Sequence, residues 1–226
     1  MADTDAGAET PGMIDLHSHT FASDGELVPA EHARRAEVQG VEVLGITDHA
    51  DASNADECIE RIERAKETAP IRVLSGVEVT HVPPEKIERV VGTARDAGAD
   101  IVVAHGETPV EPVAEGTNRA AIEAGVDVLG HPGLIQREDA ELAAKKDVRL
   151  EITARGGHSL ANGHVARVAE ETGAALVVNT DSHHPRDFIT RDRAVEIARL
   201  AGLSEEGAVE VVDENSRELL DEKGLL

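Results

Sequence analysis

Cysteine is almost absent from this chain of 226 residues, which contains Cys58 alone. A single cysteine excludes an internal disulfide and a zinc site built from cysteine thiolates. Cys58 falls in a segment of helical period, and we expect it to be a small, buried apolar residue. A metal site in this protein would have to use histidines and carboxylates.

Tryptophan and tyrosine are also missing, and phenylalanine occurs only at Phe21 and Phe188. The core must therefore be built from valine, leucine, isoleucine and alanine. The chain lacks the aromatic platforms on which proteins stack nucleic-acid bases.

Long apolar runs are missing as well, and no stretch could span a bilayer. The N-terminal residues lack the basic and apolar regions of a signal peptide, so we predict a cytoplasmic protein. Residues 1–12 are small, acidic and interrupted by glycine and proline, which predicts a disordered acidic leader. Residues 13–226 suffice for one domain with one core and leave little room for a second.

Positive charge is scarce, with 22 Lys and Arg residues against 45 Asp and Glu and a formal net charge of -23. Such a charge destabilises a compact state by self-repulsion unless salt screens it, and the Debye length is about 3 Å at 1 M salt. The acidic residues are spread over many segments, which favours a halophilic protein over one with an acidic interaction face. The charge also opposes nucleic-acid binding, although molar salt weakens that objection.

Short apolar, β-branched runs alternate with segments of helical period along the chain. The predicted strands are Met13–Leu16, Val43–Thr47, Arg72–Val79, Ile101–Ala104, Val126–Gly130, Val148–Ile152 and Ala175–Asn179. The predicted helices are Pro29–Gln39, Ala55–Thr68, Pro84–Ala97, Thr117–Ala124, Arg137–Lys145, Gly163–Thr172, Arg191–Leu200 and Glu205–Leu220. This alternation predicts an α/β fold with parallel strands covered by helices.

Residues with metal-ligand side chains follow nearly every predicted strand. His17 and His19 come directly after the first strand, and alternate residues of an extended segment point to the same side. Later strand ends carry Asp48-His49, Glu78, His105, His131 and Asp181-Ser182-His183. A barrel would bring all these ends together on one rim, whereas an open doubly wound sheet would spread them along a line. We therefore predict a closed or nearly closed barrel with a polynuclear metal site.

Read together, these motifs resemble the PHP family of metal-dependent phosphoesterases, named for polymerase and histidinol phosphatase. The resemblance runs from about Met13 to the C-terminus. The motifs that carry it are Asp15-Leu16-His17-Ser18-His19-Thr20 with Ser23-Asp24-Gly25, Thr47-Asp48-His49, Gly76-Val77-Glu78, His105, Gly130-His131-Pro132 and Asp181-Ser182-His183. The resemblance implies a distorted seven-stranded (β/α)7 TIM-like barrel that carries two or three divalent ions of zinc, manganese or iron.

The resemblance also implies a set of ligands for each ion. One ion would be held by His17, His19, Glu78 and Asp181. Glu78 would bridge to a second ion, which His105 and His131 would also hold. A third ion would be held by Asp24, His49 and His183. Many family members carry histidine at the position of Asp24, and the harder oxygen ligand would favour manganese or iron over zinc.

The function that follows is hydrolysis of a phosphomonoester of a small metabolite, with L-histidinol phosphate as the best-known family substrate. We expect His17, Glu78, Asp181 and His183 to be catalytic, since two metal ions can hold a hydroxide for in-line attack on phosphorus. No covalent intermediate is then required.

Residues outside the ligand set are predicted to contact the substrate. Arg155 follows the sixth predicted strand, precedes two glycines and could grip phosphate bidentately. His158 and His184 could also touch the substrate, whereas His32 and His81 are predicted to have no role. Glu151 could orient a ligand histidine or form a surface ion pair.

Three other functions fit part of the pattern. A nuclease or nucleotide phosphatase of the same family would use the same ligands. An amidohydrolase shares the outline of His17, His19, His105, His131 and Asp181, but Glu78 with Asp24, His49 and His183 favours phosphoester chemistry. A scaffold that has lost catalysis is disfavoured because every ligand position is filled. The sequence does not indicate an oligomeric state.

Overall fold

The computed structural model describes residues 11–226. The predicted leader over residues 1–12 therefore lies mostly outside the described residues. No helix of the described part is long and apolar enough to cross a membrane.

Strands and helices alternate as the sequence predicts. The strands are β1 (Met13–Asp15), β2 (Val41–Ile46), β3 (His49–Ala50), β4 (Arg72–Val79), β5 (Ile101–His105), β6 (Val128–Gly130), β7 (Arg149–Thr153) and β8 (Leu176–Asn179). The helices are α1 (Pro29–Val38), α2 (Ala55–Lys66), α3 (Ile87–Asp96), α4 (Thr117–Ala124), α5 (Arg137–Lys146), α6 (Asn162–Thr172), α7 (Arg191–Leu200), α8 (Glu205–Asp213) and α9 (Asn215–Glu222). Short 3₁₀ helices at Pro84–Lys86 and His158–Ala161 precede α3 and α6.

Within residues 11–226, seven parallel strands form a nearly closed barrel in the order β1-β2-β4-β5-β6-β7-β8. The two-residue strand β3 continues from the end of β2 and pairs with β4. Where β8 meets β1, a parallel bridge joins Ser18 to Ser182 just beyond the two strands. The predicted distorted (β/α)7 barrel is confirmed.

Two hydrophobic clusters lie on opposite sides of the barrel wall. Val43, Val128 and Val177 belong to the inner cluster, and the next residue of each strand belongs to the outer cluster beneath the helices. Because successive side chains of a strand point to opposite faces, both faces are apolar and the strands read as nearly continuous apolar runs. Cys58 is buried on α2 in the outer cluster, as predicted.

The prediction of one continuous helix over Glu205–Leu220 is wrong, because the chain turns at Glu214 and begins α9. The side-chain amide of Asn215 donates to the carbonyl of Leu176, 2.7 Å away, and fixes the turn. Leu219 and Leu220 can then pack into the inner cluster. Helix α9 lies near the strand beginnings, where Arg217 donates to the carbonyl of Gly12 over 2.8 Å. The opposite end of the barrel stays free for the site.

Strands β1 and β2 approach each other closely at Gly45. A Cβ atom there would lie 2.8 Å from the carbonyl oxygen of Leu16. We expect Gly45→Ala to lower the free energy of unfolding by about 1–3 kcal/mol, because the added methyl must displace backbone. Urea denaturation followed by circular dichroism measures the change.

Gly92→Ala is the matched control, since a Cβ atom at this position of α3 would meet nothing within 4 Å. It should be neutral or raise stability by about 0.5–1 kcal/mol through helix propensity. Equal losses in the two variants would contradict the close approach at Gly45.

Candidate metal centre

The nine predicted ligands lie together at the carboxyl ends of the strands. Seven of them are almost fully buried, His49 is partly buried, and Asp24 is 53% exposed in its side chain and lies at the mouth. The structure groups donor atoms within 4.8 Å of one another in sets that include His17, His19 and Asp181; His17, Glu78 and His131; and His19, Asp24, His49 and His183.

His17 and His19, which follow β1, aim their Nε2 atoms at carboxylates from two other strand ends. Nε2 of His17 lies 3.3 Å from Oε1 of Glu78, and Nε2 of His19 lies 3.3 Å from Oδ1 of Asp181. Two ligand atoms that each lie about 2.0–2.2 Å from one tetrahedral ion are separated by about 3.4 Å. Each imidazole nitrogen is therefore about as far from a carboxylate oxygen as two ligands of one ion are, and His17, His19 and Asp181 offer donor atoms within 4.8 Å of one another.

Glu78, at the end of β4, faces histidines with both carboxylate oxygens. Oε1 lies 3.3 Å from Nε2 of His17 and 3.3 Å from Nε2 of His131. Oε2 lies 3.6 Å from Nε2 of His19 and 2.8 Å from Nδ1 of His49. Because each carboxylate oxygen of Glu78 faces a different pair of imidazoles, the carboxylate is placed to bridge two metal ions.

Asp24 brings the third group of ligands together at the mouth of the barrel. Its Oδ1 lies 3.1 Å from Nε2 of His183 and 3.4 Å from Nε2 of His49. The loop that carries Asp24 is held by buried Asp48, whose Oδ1 accepts hydrogen bonds from the amide of Thr20 at 2.7 Å and the hydroxyl of Ser23 at 2.8 Å. Asp48 thus positions this loop.

His105 has a neighbour that the sequence does not predict. Its Nδ1 donates to the carbonyl of Gly106, and its Nε2 lies 3.1 Å from Oε2 of Glu111. The same carboxylate lies 3.2 Å from Nε2 of His81 and 3.4 Å from Nε2 of His158. Glu111 therefore extends the site from the loop after β5.

His81, to which the sequence analysis gives no role, belongs to one possible ligand group with His105 and Glu111. His158 groups with His131 and Asp181, so this residue, predicted to contact substrate, lies among the candidate ligands. Neither Glu111 nor His81 ends a strand. Their sequence signal is limited to the presence of His and Glu in loops that follow strands.

Buried nitrogen and oxygen atoms without hydrogen-bond partners test whether these residues fit metal ions. Within the described residues, they include Nε2 of His17, both ring nitrogens of His19 and Oε1 of Glu78. Each such atom costs about 1–3 kcal/mol unless something satisfies it. Bound cations would satisfy Nε2 of His17, one ring nitrogen of His19 and Oε1 of Glu78, so the donor set fits divalent ions.

Against the effect of burial, neighbouring carboxylates raise the pKa of His17, His49 and His131, whereas two other candidate ligands are held neutral. Burial, followed by the charge of His49, lowers the pKa of His19 well below its usual range. Burial likewise lowers the pKa of His105 to about 4, against the attraction of Glu78. Neutral imidazoles keep a lone pair for a metal ion at neutral pH.

Glu151, on β7, holds the two strand ends that carry His17 and His131. Its Oε1 accepts a hydrogen bond from Nδ1 of His17 at 2.8 Å, and its Oε2 accepts one from the backbone amide of His131 at 2.9 Å. Burial opposes its charge, but the attraction of His17 and their hydrogen bond outweigh burial and lower the pKa of Glu151 to about 2. Of the two roles that the sequence left open, the structure supports orientation of a histidine.

Two candidate ligands adopt backbone conformations that residues other than glycine rarely use. The φ angles are 28° at His131 and 51° at Asp181. The amide of His131 is held by Glu151, and the amide of Asp181 donates to the carbonyl of His17 over 2.9 Å. Such strain persists only where surrounding contacts fix it, and it is concentrated at functional sites.

Arg155, for which the sequence predicts a phosphate contact, lies beside this ring of ligands. Its Nη1 lies 2.7 Å from Nδ1 of His183 and 3.3 Å from the carbonyl oxygen of Asp181. Its side chain remains 29% exposed, so the guanidinium can reach a ligand at the mouth.

Comparisons with known proteins agree with this geometry. The model of the PHP domain family matches residues 15–175. An uncharacterised protein of Methanocaldococcus jannaschii is 48% identical over 84% of this chain and 90% of its own length. A probable phosphatase of Shewanella piezotolerans is 30% identical over 82% of this chain and 83% of its own.

A solved structure with the same fold is the histidinol phosphate phosphatase of Lactococcus lactis, complexed with zinc, L-histidinol and phosphate. It has a TM-score of 0.61 and 18% identity, and the match covers 85% of this chain and 95% of that one. At this identity the likeness shows the fold alone.

We expect Glu151→Gln to weaken metal binding about 10- to 100-fold, because the amide cannot hold His17 in the same tautomer with the same charge. Isothermal titration with Mn²⁺ or Zn²⁺ into metal-free protein measures the affinity. Glu210→Gln on the exposed face of α8 is the control. Identical affinities for Glu151→Gln and the unaltered protein would contradict a positioning role.

Proposed function

The chain belongs to the PHP domain family, and on that premise we propose that it is a metal-dependent phosphoesterase that hydrolyses a phosphomonoester of a small metabolite. The observation that carries the proposal is the position of Glu78, whose two oxygens face histidines from different strand ends. The proposal is also supported by relatives that are named probable phosphatases.

Two or three divalent ions of zinc, manganese or iron are the proposed cofactors. The residues that would hold them are His17, His19, Asp24, His49, Glu78, His105, His131, Asp181 and His183. When bound, such ions lower the pKa of a water ligand and neutralise phosphate oxygens. The zinc in the structure of the histidinol phosphate phosphatase supports a metal of this class.

The protein's own side chains prepare the site for a phosphate. Nδ1 of His17 donates a hydrogen bond to Glu151, and its Nε2 faces Glu78. Carboxylates from Glu78 and Asp181 compensate positive charge in the buried ring. Arg155 lies at the mouth and would orient phosphate oxygens with its guanidinium. His158, which lies 3.4 Å from Glu111 and groups with His131 and Asp181, would contact the substrate beside the ligand ring.

A phosphatase screen tests the proposed activity. We expect phosphate release from at least one small phosphomonoester with Mn²⁺, Zn²⁺, Fe²⁺ or Mg²⁺, and loss of that activity after chelation. The panel includes L-histidinol phosphate, nucleotides and short oligonucleotides. Cleavage of amides with no cleavage of phosphoesters would overturn the proposal in favour of an amidohydrolase.

Removal of a bridging or inner ligand should abolish turnover. We expect Glu78→Ala and His17→Ala each to lower kcat by about 10³-fold or more, since the donor set for the ions is broken. His164→Ala on α6, which contacts the carbonyl of Ile135 instead of the ring, should retain near-normal kcat. Near-normal turnover in Glu78→Ala would refute the bridging role.

Salt should raise both stability and activity if the acidic surface belongs to a halophilic protein. At a net charge of -23, raising KCl from 0.1 M to 2 M shortens the Debye length from about 10 Å to less than 3 Å and removes most self-repulsion. We expect the thermal midpoint and the phosphatase rate to increase together. A thermal midpoint that is independent of KCl would contradict a halophilic surface.

A further inference from the structure

A cavity of about 390 Å³ lies beside the metal centre, between the loop after β8 and helix α7. Its lining includes three arginines, Arg155, Arg186 and Arg193, together with His184. The proposed phosphatase mechanism uses only the first of them. The other two occupy a part of the molecule to which hydrolysis itself gives no role.

The cavity adjoins the metal centre. Arg155 and Asp181 line both the space enclosed by the candidate ligands and this neighbouring cavity. A substrate whose phosphate is held between the ligands and Arg155 could therefore extend past Arg155 toward Arg186 and Arg193. The volume is that of a small-metabolite site.

The carboxylates of the lining are turned toward other partners. Oδ1 of Asp181 lies 3.3 Å from Nε2 of His19, inside the ligand ring. Oδ2 of Asp187 accepts hydrogen bonds from the backbone amides of His183 at 3.0 Å and His184 at 2.8 Å. Arg193 pairs with Glu196 in an exposed contact along α7, with which a substrate anion would compete. The cavity is lined by arginines, although the chain as a whole carries a net charge of -23.

A second cavity of about 350 Å³ next to His49 is richer in carboxylates. Its lining includes Asp24, Asp51 and Glu111 together with His49 and His81, but neither lysine nor arginine. An anionic substrate group would be repelled there and attracted on the arginine side. The charge of the two cavities thus selects the direction in which an anionic substrate extends.

We propose that Arg186 and Arg193 form an anion subsite, so that the preferred substrate carries a second anionic group, a phosphate or a carboxylate, beyond the phosphomonoester that is cleaved. This inference rests on the proposed phosphatase function. Arginine is suited to the role because its planar guanidinium forms paired hydrogen bonds with either anion.

Matched substrates test the subsite in the metal-loaded, full-length protein. Fructose 1,6-bisphosphate is compared with fructose 6-phosphate, and 3-phosphoglycerate with glycerol 3-phosphate, so that the two arms separate a second phosphate from a carboxylate. We expect kcat/KM to be at least tenfold higher for the member of one pair that carries the second anionic group. L-Histidinol phosphate, whose second charged group is cationic, should be a poorer substrate than that member.

Two variants connect the preference to the cavity. Arg186→Gln and Arg193→Gln should each lower the ratio of kcat/KM within the preferred pair about tenfold, the effect of losing a charged hydrogen bond. Arg199→Gln, on the exposed side of the same helix as Arg193, is the control and should keep the ratio. Circular dichroism melting shows whether each variant is folded. The side chain of Arg193 is half exposed, so we expect the Arg193→Gln variant to fold.

The outcomes separate the two proposals. Hydrolysis of none of the phosphomonoesters would refute the phosphatase function itself. Three results would overturn the anion subsite alone. Fructose 6-phosphate and glycerol 3-phosphate could be hydrolysed at least as well as their partners, or L-histidinol phosphate could be the preferred substrate. The third result is an unchanged ratio of kcat/KM in folded Arg186→Gln and Arg193→Gln.

Discussion

The buried carboxylate of Glu151 is the contact on which the site depends. It has no exposure to solvent, and its charge is stable only because His17, the backbone of His131 and the amide of Asn179 all donate to it. These donors follow or end three different strands, β1, β6 and β8, while Glu151 itself lies on β7. One buried anion thus fixes the relative positions of strand ends far apart in sequence, and with them the rings that face Glu78.

The closure of the barrel and the construction of the site use the same residues. Between β8 and β1 the usual ladder is replaced by individual contacts. Asn179 accepts from the amide of Leu16 at 2.9 Å, Asp15 accepts from the hydroxyl and amide of Thr180, and the amide of His19 donates to Ser182 over 2.8 Å. Burial raises the pKa of Asp15 to about 6 against these hydrogen bonds. The imidazoles after β1 and the Asp181-Ser182-His183 segment after β8 meet because this seam is polar.

The strand-end histidines and carboxylates could be predicted because parallel strands and period-two alternation are local patterns that fix where a side chain points. The sequence left Glu151 either to orient a ligand histidine or to form a surface ion pair. Its complete burial, which the sequence does not show, favours the first role. The turn at Glu214 could not be predicted, since it depends on a contact between Asn215 and distant Leu176. His81 and Glu111 escaped prediction for the same reason, because the paths of the loops after β4 and β5 are set by tertiary contacts and follow no repeating pattern.

The distribution of charge constrains how an anionic substrate can be recognised. A net charge of -23 repels phosphorylated metabolites at long range in dilute salt. In molar salt that repulsion is screened, but so is any long-range attraction, because the Debye length falls to about 3 Å. Recognition must then come from groups in direct contact with the substrate. Guanidiniums such as Arg155, gathered at one side of the ligand ring, keep their hydrogen bonds under these conditions, so short-range arginine contacts are the physical solution open to an acidic phosphatase.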